Sequence, residues 1–180
     1  KTNYKKSPEL KWRLADLVNK LENNNIKNIV EIGSGRSSLL FNFYKKIKKI
    51  DECKSIEQSL DFSKFMNDFF NQIDLDCNLI DSKYVSTESG GYLDHKLSNC
   101  DLLYIDGPED ETKFKRNKPY NTYTGKAEFS DALNYLKKGF LPKLIIFDGR
   151  IDSVDLILNS KFLNNYKFKG SFRWAFNHNN

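Results

Sequence analysis

The stretch from Ile29 to Leu40 constrains this chain most, because it combines a strand, a tight glycine turn and a helix start. The apolar run Ile29–Ile32 predicts a short buried strand, and Gly33–Gly35 predicts the turn. A helix follows, with Ser37 or Ser38 as its expected N-cap. Glycines let a ligand approach the backbone, and the free N–H groups of a helix start attract anionic or polar groups. The stretch therefore predicts either a ligand-binding loop or an ordinary connection that needs glycine only to turn.

Length and composition indicate one globular domain, residues 1–180. Hydrophobic residues make up 39% of the chain, and no run approaches the roughly 18 apolar residues of a membrane span. The net charge of +5 comes from lysines spread along the chain, so we predict no nucleic-acid partner. Cys53, Cys77 and Cys100 lack metal-ligand spacing, and no signal-peptide pattern is visible, which predicts reduced thiols in a cytoplasmic protein.

Strands and helices alternate along the sequence. A helix is predicted from Pro8 to the asparagines 23–25, and later helices at 37–47, 60–73, 127–138 and 153–163. Strands are predicted at 27–32, 53–57, 77–80, 102–105 and 144–147, followed by a closing hairpin of 166–169 and 172–176. This alternation predicts an α/β fold, a Rossmann-like, doubly wound and mostly parallel sheet of about seven strands with helices on both faces.

Three segments fall outside this alternation. Residues 1–6 are expected to form a flexible basic arm, and residues 83–99 contain no clear long element. Residues 109–125 are too long for a simple connection, so we interpret them as a substrate loop or lid. On the helix 60–73, the expected core-facing stripe comprises Phe62, Phe65, Met66, Phe69 and Phe70.

Each of the five predicted parallel strands ends at an acidic residue. These residues are Glu31, Glu57, Asp81, Asp106 and Asp148. In open parallel sheets, ligands bind at the carboxyl ends of the strands, near the point where the strand order reverses. Any one of these acids could cap a helix or a turn, but their regular placement predicts a binding site along this edge.

These motifs resemble those of the class I S-adenosylmethionine-dependent methyltransferases. The run from Glu31 to Gly35 resembles the family's first motif, whose turn lies against the methionine part of the cofactor. Glu57 resembles the acid that accepts hydrogen bonds from both ribose hydroxyls. Asp81 and its neighbour Ser82 resemble the adenine-contacting position. The run Asp101–Pro108 resembles the fourth-strand motif, which borders the transferred methyl group.

The resemblance implies an enzyme that binds S-adenosylmethionine, with Asp106 nearest the chemistry. The cofactor-binding residues that it implies are Glu31, Gly33, Ser34, Gly35, Glu57, Gln58, Asp81, Ser82, Asp106 and Gly107. Methyl transfer is an in-line displacement, so positioning supplies much of the rate, and a hydroxyl acceptor also needs help to lose its proton. His95 is a second possible base.

The methyl acceptor is expected to be a small molecule that receives the methyl group on oxygen. Asp106 is followed by Gly107-Pro108-Glu109, whereas methyltransferases that act on planar nitrogens often carry a proline-proline-aromatic run here. The cations and tyrosines of residues 113–123 could grip an anionic or sugar-like acceptor, or form a polar surface loop.

Asp106 and Asp148 end neighbouring strands about 5 Å apart, so they could share a divalent cation. Gly149 follows Asp148 where the catechol-type enzymes carry an asparagine ligand, and we therefore favour a site without metal.

Two other functions remain open. A nicotinamide dinucleotide oxidoreductase also uses a glycine turn and a ribose-binding acid. Here Ser38 replaces its third glycine, and Glu31 would repel a diphosphate. A non-catalytic binding or scaffold domain could keep the same fold, although the acids at all five strand ends count mildly against it.

Overall fold

A mostly parallel sheet organises the computed structural model, which describes residues 8–87, 90–107, 116–117, 122–123, 130–148, 151–170 and 174–178. The strands of these residues are β1 (Asn28–Ile32), β2 (Glu52–Glu57), β3 (Asn78–Asp81), β4 (Lys83–Thr87), β5 (Gly90–Asp94), β6 (Leu102–Ile105), β7 (Arg116–Asn117), β8 (Thr122–Tyr123), β9 (Leu144–Phe147), β10 (Tyr166–Gly170) and β11 (Trp174–His178). The helices are α1 (Pro8–Asn23), α2 (Arg36–Lys46), α3 (Leu60–Gln72), α4 (Asp131–Lys137), α5 (Ile151–Leu158) and a 3-10 helix (Lys161–Asn165).

Seven of these strands form the main sheet in the order β10-β11-β9-β6-β1-β2-β3. Strands β1, β2, β3, β6 and β9 are parallel, and β11 pairs antiparallel with both β9 and β10. The strand order reverses between β1 and β6, which is the switch point where such sheets bind ligands. The predicted α/β fold, its number of strands and its closing hairpin are therefore confirmed.

The two faces of the sheet pack against different helices. Strands β6 and β9 are fully buried, as their continuous apolar sequences predict. On one face, Leu17 of α1 and Phe41 of α2 pack with strand residues such as Ile29. On the other face, Tyr135 of α4 and Val154 of α5 join a second apolar cluster. No helix in the described part of the chain combines the length and apolarity needed to span a membrane.

The region 83–99, where no clear long element is predicted, contains the antiparallel hairpin of β4 and β5. Leu93 of β5 is buried at 1% exposure in the apolar cluster beneath α4. The hairpin lies where a doubly wound fold would otherwise place a helix between consecutive parallel strands. The sequence prediction missed this hairpin, because polar residues obscure the alternating pattern of its short strands.

The predicted aromatic stripe of α3 is only partly correct. Met66 and Phe70 are buried, but Phe62 is 38% exposed and Phe65 is 60% exposed. Only a narrow side of α3 packs against the core, because this helix covers the edge of the sheet at β3. The remaining aromatic residues lie beside that buried side.

Several element boundaries also differ from the predictions. Helix α2 has Gly35 as its N-cap, not Ser37 or Ser38, and Ser38 Oγ accepts a hydrogen bond from the Gly35 N–H at 2.9 Å. The predicted helix 153–163 is split into α5 and the 3-10 helix. The arm 1–6 lies outside the described residues, as does the loop 109–125 apart from β7 and β8, so the lid stays a prediction.

Candidate active site

The carboxyl ends of the parallel strands place the predicted acids along one edge. Ile32 of β1 pairs with Ile56 of β2 on one side and with Ile105 of β6 on the other. Ile105 in turn pairs with Phe147 of β9, so Asp106 and Asp148 follow neighbouring positions. The predicted residues after β1, β2, β6 and β9 are therefore brought together, with the glycine turn at their centre.

The glycine turn after β1 touches the turn after β6, backbone against backbone. Gly33 has a φ of 85°, which favours glycine, and a Cβ added there would lie 2.6 Å from the Gly107 nitrogen. A Cβ on Gly107 would lie 2.8 Å from the Gly33 Cα. The N–H groups of Asp106 and Gly107 both donate to the Ile32 carbonyl, at 2.9 and 2.8 Å. Only glycine at both positions permits this approach.

We expect Gly107→Ala to lower the free energy of unfolding by about 1–3 kcal/mol, because the added methyl group must displace backbone atoms of the neighbouring turn. Gly35→Ala is the matched control, since a Cβ there meets nothing within 4 Å and its φ of 170° is open to any residue. Urea unfolding of both variants measures the difference. Equal stability of the two variants would contradict the close contact.

The carboxylate of Glu57 is held by the glycine turn and by its own following backbone. Its Oε2 accepts hydrogen bonds from the Ser34 N–H at 3.0 Å and the Ser34 hydroxyl at 2.6 Å. Its Oε1 accepts from the N–H groups of Gln58 and Ser59, each at 2.8 Å. With 8% exposure, Glu57 is fixed at the end of β2 beside the turn.

Glu31 lies beneath the glycine turn and is fully buried. Its carboxylate accepts hydrogen bonds from the hydroxyls of Ser37 at 2.5 Å, Ser38 at 2.6 Å and Ser55 at 2.5 Å. Burial raises the pKa of Glu31 to about 7, the three serine hydroxyls oppose this rise, and the negative charge of Asp106 adds to it. Glu31 thus ties β1 to β2 and to the start of α2 from inside the fold.

A cavity of about 310 Å³ opens beside Asp106, between the sheet edge and α1. The residues that line it are Arg13, Leu14, Arg36, Ser37, Tyr104, Asp106 and Asp148. The Tyr104 hydroxyl donates to Asp148 Oδ2 at 2.5 Å, and Arg13 Nη1 lies 3.6 Å from Asp148 Oδ1. The cavity therefore combines two guanidinium groups and two carboxylates next to the predicted catalytic residue.

The contacts of Asp148 do not fit a shared metal ion. Its two oxygens already face the hydroxyl of Tyr104 and the cation of Arg13, which would repel a second cation. Within the described ranges, no three histidine, cysteine or acidic side chains gather as metal ligands. A metal ion shared by Asp106 and Asp148 would have to displace Tyr104 and Arg13 from Asp148.

Asp81 and Ser82 lie at the outer end of this edge, after β3. Asp81 is exposed. The Ser82 hydroxyl donates to the Asp94 carbonyl at 2.8 Å, and the Ser82 N–H donates to the Glu57 carbonyl at 2.8 Å. These contacts fasten the β4–β5 hairpin to the site, while a role in binding adenine stays a prediction.

His95 is half-buried beside Tyr135 of α4. Its Nδ1 is 2.8 Å from the Leu93 carbonyl and its Nε2 is 3.2 Å from the Tyr135 hydroxyl. Burial lowers the pKa of His95. The residue does not line the cavity beside Asp106, and its contacts fit a structural role better than that of a base.

Sequence reasoning did not assign Arg13, Arg36 and Tyr104 to the site. Arg36 directly follows the glycine turn, so its position at a helix start beside the predicted ligand was a usable signal. Tyr104 points to the α1 side of β6 by strand alternation, but its bond to Asp148 depends on the pairing of β6 with β9. Arg13 reaches the cavity only through the packing of α1, which no local pattern reveals.

Comparison with known proteins finds similarity in structure but not in sequence. No family model matches the chain, and no curated protein matches its sequence. A candidate caffeoyl-CoA O-methyltransferase from Staphylococcus aureus is similar over 92% of this chain and 82% of its own, with a TM-score of 0.56 and 13% identity.

Two other solved structures are similar at the same level. The methyltransferase domain of bacterial CtHen1-CN is 12% identical over 92% of this chain and 97% of its own, with a TM-score of 0.54. The candidate methyltransferase yhhF from Escherichia coli is 12% identical over 95% of this chain and 86% of its own, with a TM-score of 0.52. The chain therefore has the Rossmann-like fold of the class I S-adenosylmethionine-dependent methyltransferases.

Proposed function

We propose that the chain is an S-adenosylmethionine-dependent methyltransferase that acts on an oxygen of a small, anionic acceptor. The observation that carries this proposal is the buried Glu57 carboxylate, which hydrogen-bonds the glycine turn through Ser34. A carboxylate in this position suits a ribose diol, which donates two hydrogen bonds. The similar solved structures are themselves methyltransferases, which supports the same class.

Glu57 can bind the cofactor's ribose only if it releases one of its present hydrogen bonds. The two oxygens of Glu57 already accept four hydrogen bonds, which is about the capacity of a carboxylate. The Ser34 hydroxyl is the donor that can rotate away, whereas the bonds from Gln58 and Ser59 are part of the backbone. A ribose hydroxyl would therefore replace the Ser34 hydroxyl as a donor to Oε2 of Glu57. The backbone hydrogen bonds to Oε1 would remain.

The cofactor, when bound, would supply an electrophilic methyl group on a sulfonium. Asp106, at the end of β6, would accept the proton of an acceptor hydroxyl held in the cavity beside it. Arg36 lines the same cavity and would pair with an anionic group of the acceptor, while Arg13 stays with Asp148. Asp148 and Tyr104 would hold one wall of this cavity in place.

Calorimetric titration tests the class directly. The chain is titrated with S-adenosylmethionine, S-adenosylhomocysteine and NAD, each with and without magnesium. Micromolar binding of the first two, independent of magnesium, is the expected result. Binding of NAD alone would replace the proposal with a redox enzyme, and binding of none would favour a scaffold domain.

For an acceptor found by screening, we expect Arg36→Ala to raise the acceptor KM about tenfold and to leave kcat nearly unchanged. This corresponds to the loss of one charge-assisted hydrogen bond of about 1.5 kcal/mol. Steady-state kinetics measures it, with Lys64→Ala as a control that removes an exposed cation from α3. Weaker binding of S-adenosylhomocysteine with an unchanged acceptor KM would instead assign Arg36 to the cofactor.

A further inference from the structure

Two neighbouring helices expose an apolar surface away from the cavity. Ten large hydrophobic side chains are exposed in the described part of the chain, and seven of them lie on α2, on α3 or at their C-caps. Six of the seven form what we call the α2–α3 face: Leu39, Phe43, Ile47, Phe62, Phe65 and Ile73.

The spacing of these residues gives each helix one apolar line. Leu39, Phe43 and Ile47 follow each other at four-residue intervals, so they share the side of α2 that faces away from the core. Phe62 and Phe65 are one turn apart on α3, and their rings stack with centroids 6.0 Å apart. The exposures are 48% for Phe43 and 60% for Phe65.

Two ion pairs bring the C-terminal ends of α2 and α3 together. Lys46 of α2 lies 2.8 Å from Asp74, and Lys45 lies 2.7 Å from Asp76, just beyond the C-cap of α3. Lys46 immediately precedes Ile47, and Asp74 immediately follows Ile73. Ile47 and Ile73, the last residues of the two lines, therefore belong to adjoining helix ends.

The charges beside the α2–α3 face favour one kind of partner. Lys45 and Lys46 are each paired with an aspartate of the same chain, and the exposed Lys48 and Lys64 are matched in number by the exposed Asp61 and Asp68 of α3. An anionic lipid surface or a nucleic acid would require an excess of cations over acids at this border. A second copy of the chain, which presents the same apolar and charge-balanced surface, requires none.

The apolar area of the α2–α3 face also matches the apolar area of a homodimer interface. The six side chains expose on the order of 500 Å² of apolar surface, if a fully exposed phenylalanine contributes about 200 Å². A stable interface buries about 800 Å² per partner, of which roughly 65% is apolar in homodimers. We propose that two copies of this chain associate through their α2–α3 faces in a symmetric dimer.

Sedimentation velocity tests this proposal over an approximately hundredfold range of protein concentration. The wild type is expected to sediment as two chains of 21.0 kDa each at the upper concentrations. Phe43→Glu and Phe65→Glu are expected to sediment as single chains, because each copy would place a carboxylate in the apolar contact. Both side chains are exposed, so neither change disturbs the core.

Leu141→Glu is the matched control, since Leu141 is 53% exposed and lies outside the α2–α3 face. It is expected to remain dimeric, and circular dichroism checks that all variants are folded. A wild type that stays a single chain at every concentration would overturn the proposal. So would a dimer that persists in both phenylalanine variants, because the contact would then lie elsewhere.

Discussion

Replacing Glu57 with glutamine is expected to weaken binding of S-adenosylhomocysteine about ten- to hundredfold. Hydrogen bonds to a charged group contribute about 1.5–3 kcal/mol each, and the position that the Ser34 hydroxyl vacates accepts one from the ribose. Glutamine also places an NH₂ group against backbone N–H donors, either that of Ser34 or those of Gln58 and Ser59. The change therefore removes an acceptor and disturbs the turn that would hold the cofactor.

Calorimetry with Glu57→Gln and Glu52→Gln measures this effect. Glu52 begins the same strand, is exposed and lies 3.4 Å from Lys54, so its replacement should leave binding unchanged. Unchanged affinity in Glu57→Gln, with normal binding by the wild type, would show that another residue holds the ribose.

The second large effect is a fall in stability as the pH rises, caused by Glu31. Its pKa is 4.5 in the unfolded chain and about 7 in the folded protein. Between these values the folded state holds a proton that the unfolded state has lost, so stability decreases as the pH rises from about 4.5 to about 7. The full effect is on the order of 3 kcal/mol, at about 1.4 kcal/mol per pKa unit.

Two other buried groups act in the same pH range. Burial raises the pKa of Asp131 to about 7, so this residue lowers stability with rising pH in the same way. Burial lowers the pKa of His95, so this residue opposes the trend as the pH rises toward 6.5. The contribution of Glu31 is therefore read from the difference between the wild type and a variant.

Urea unfolding of the wild type and Glu31→Gln between pH 5 and 8 makes this comparison. The neutral amide has the same shape and does not titrate, so the variant should lose about 2.5 kcal/mol less than the wild type over this range. Asp131→Asn should flatten the profile separately, and the exposed Glu52→Gln should not change it. Parallel profiles for the wild type and Glu31→Gln would mean that Glu31 is already ionised in the fold at pH 5.

Much of the fold follows from local patterns in the sequence. The continuous apolar runs of β6 and β9 and the alternation of strands with helices suffice to predict a parallel sheet, and the glycine turn marks its central strand. Periodicity shows that a helix has an apolar side, but it does not show which residues of that side pack against the core. It therefore wrongly predicts that exposed aromatic residues such as Phe65 are buried. The β4–β5 hairpin has short strands, and its pairing depends on contacts that local patterns do not contain.

The candidate site could be predicted only at the level of strand ends. Topology brings Glu57 and Asp106 to the same edge, and this follows from the parallel sheet alone. The burial of Glu31 under three serines could not be predicted, because Ser55 comes from a different strand and its alignment depends on register. The cavity with Arg13 and Tyr104 depends on helix packing, so the roles of all these residues in binding stay predictions.

The mutual contact of Gly33 and Gly107 has a thermodynamic consequence. The two turns cannot shift independently, because each backbone leaves no room for a single added carbon on the other. A ligand that orders the turn after β1 therefore also orders the turn after β6. Under the proposed function, cofactor and acceptor would each strengthen the binding of the other by the same factor, and this cooperativity would pass through a contact that contains no side chain.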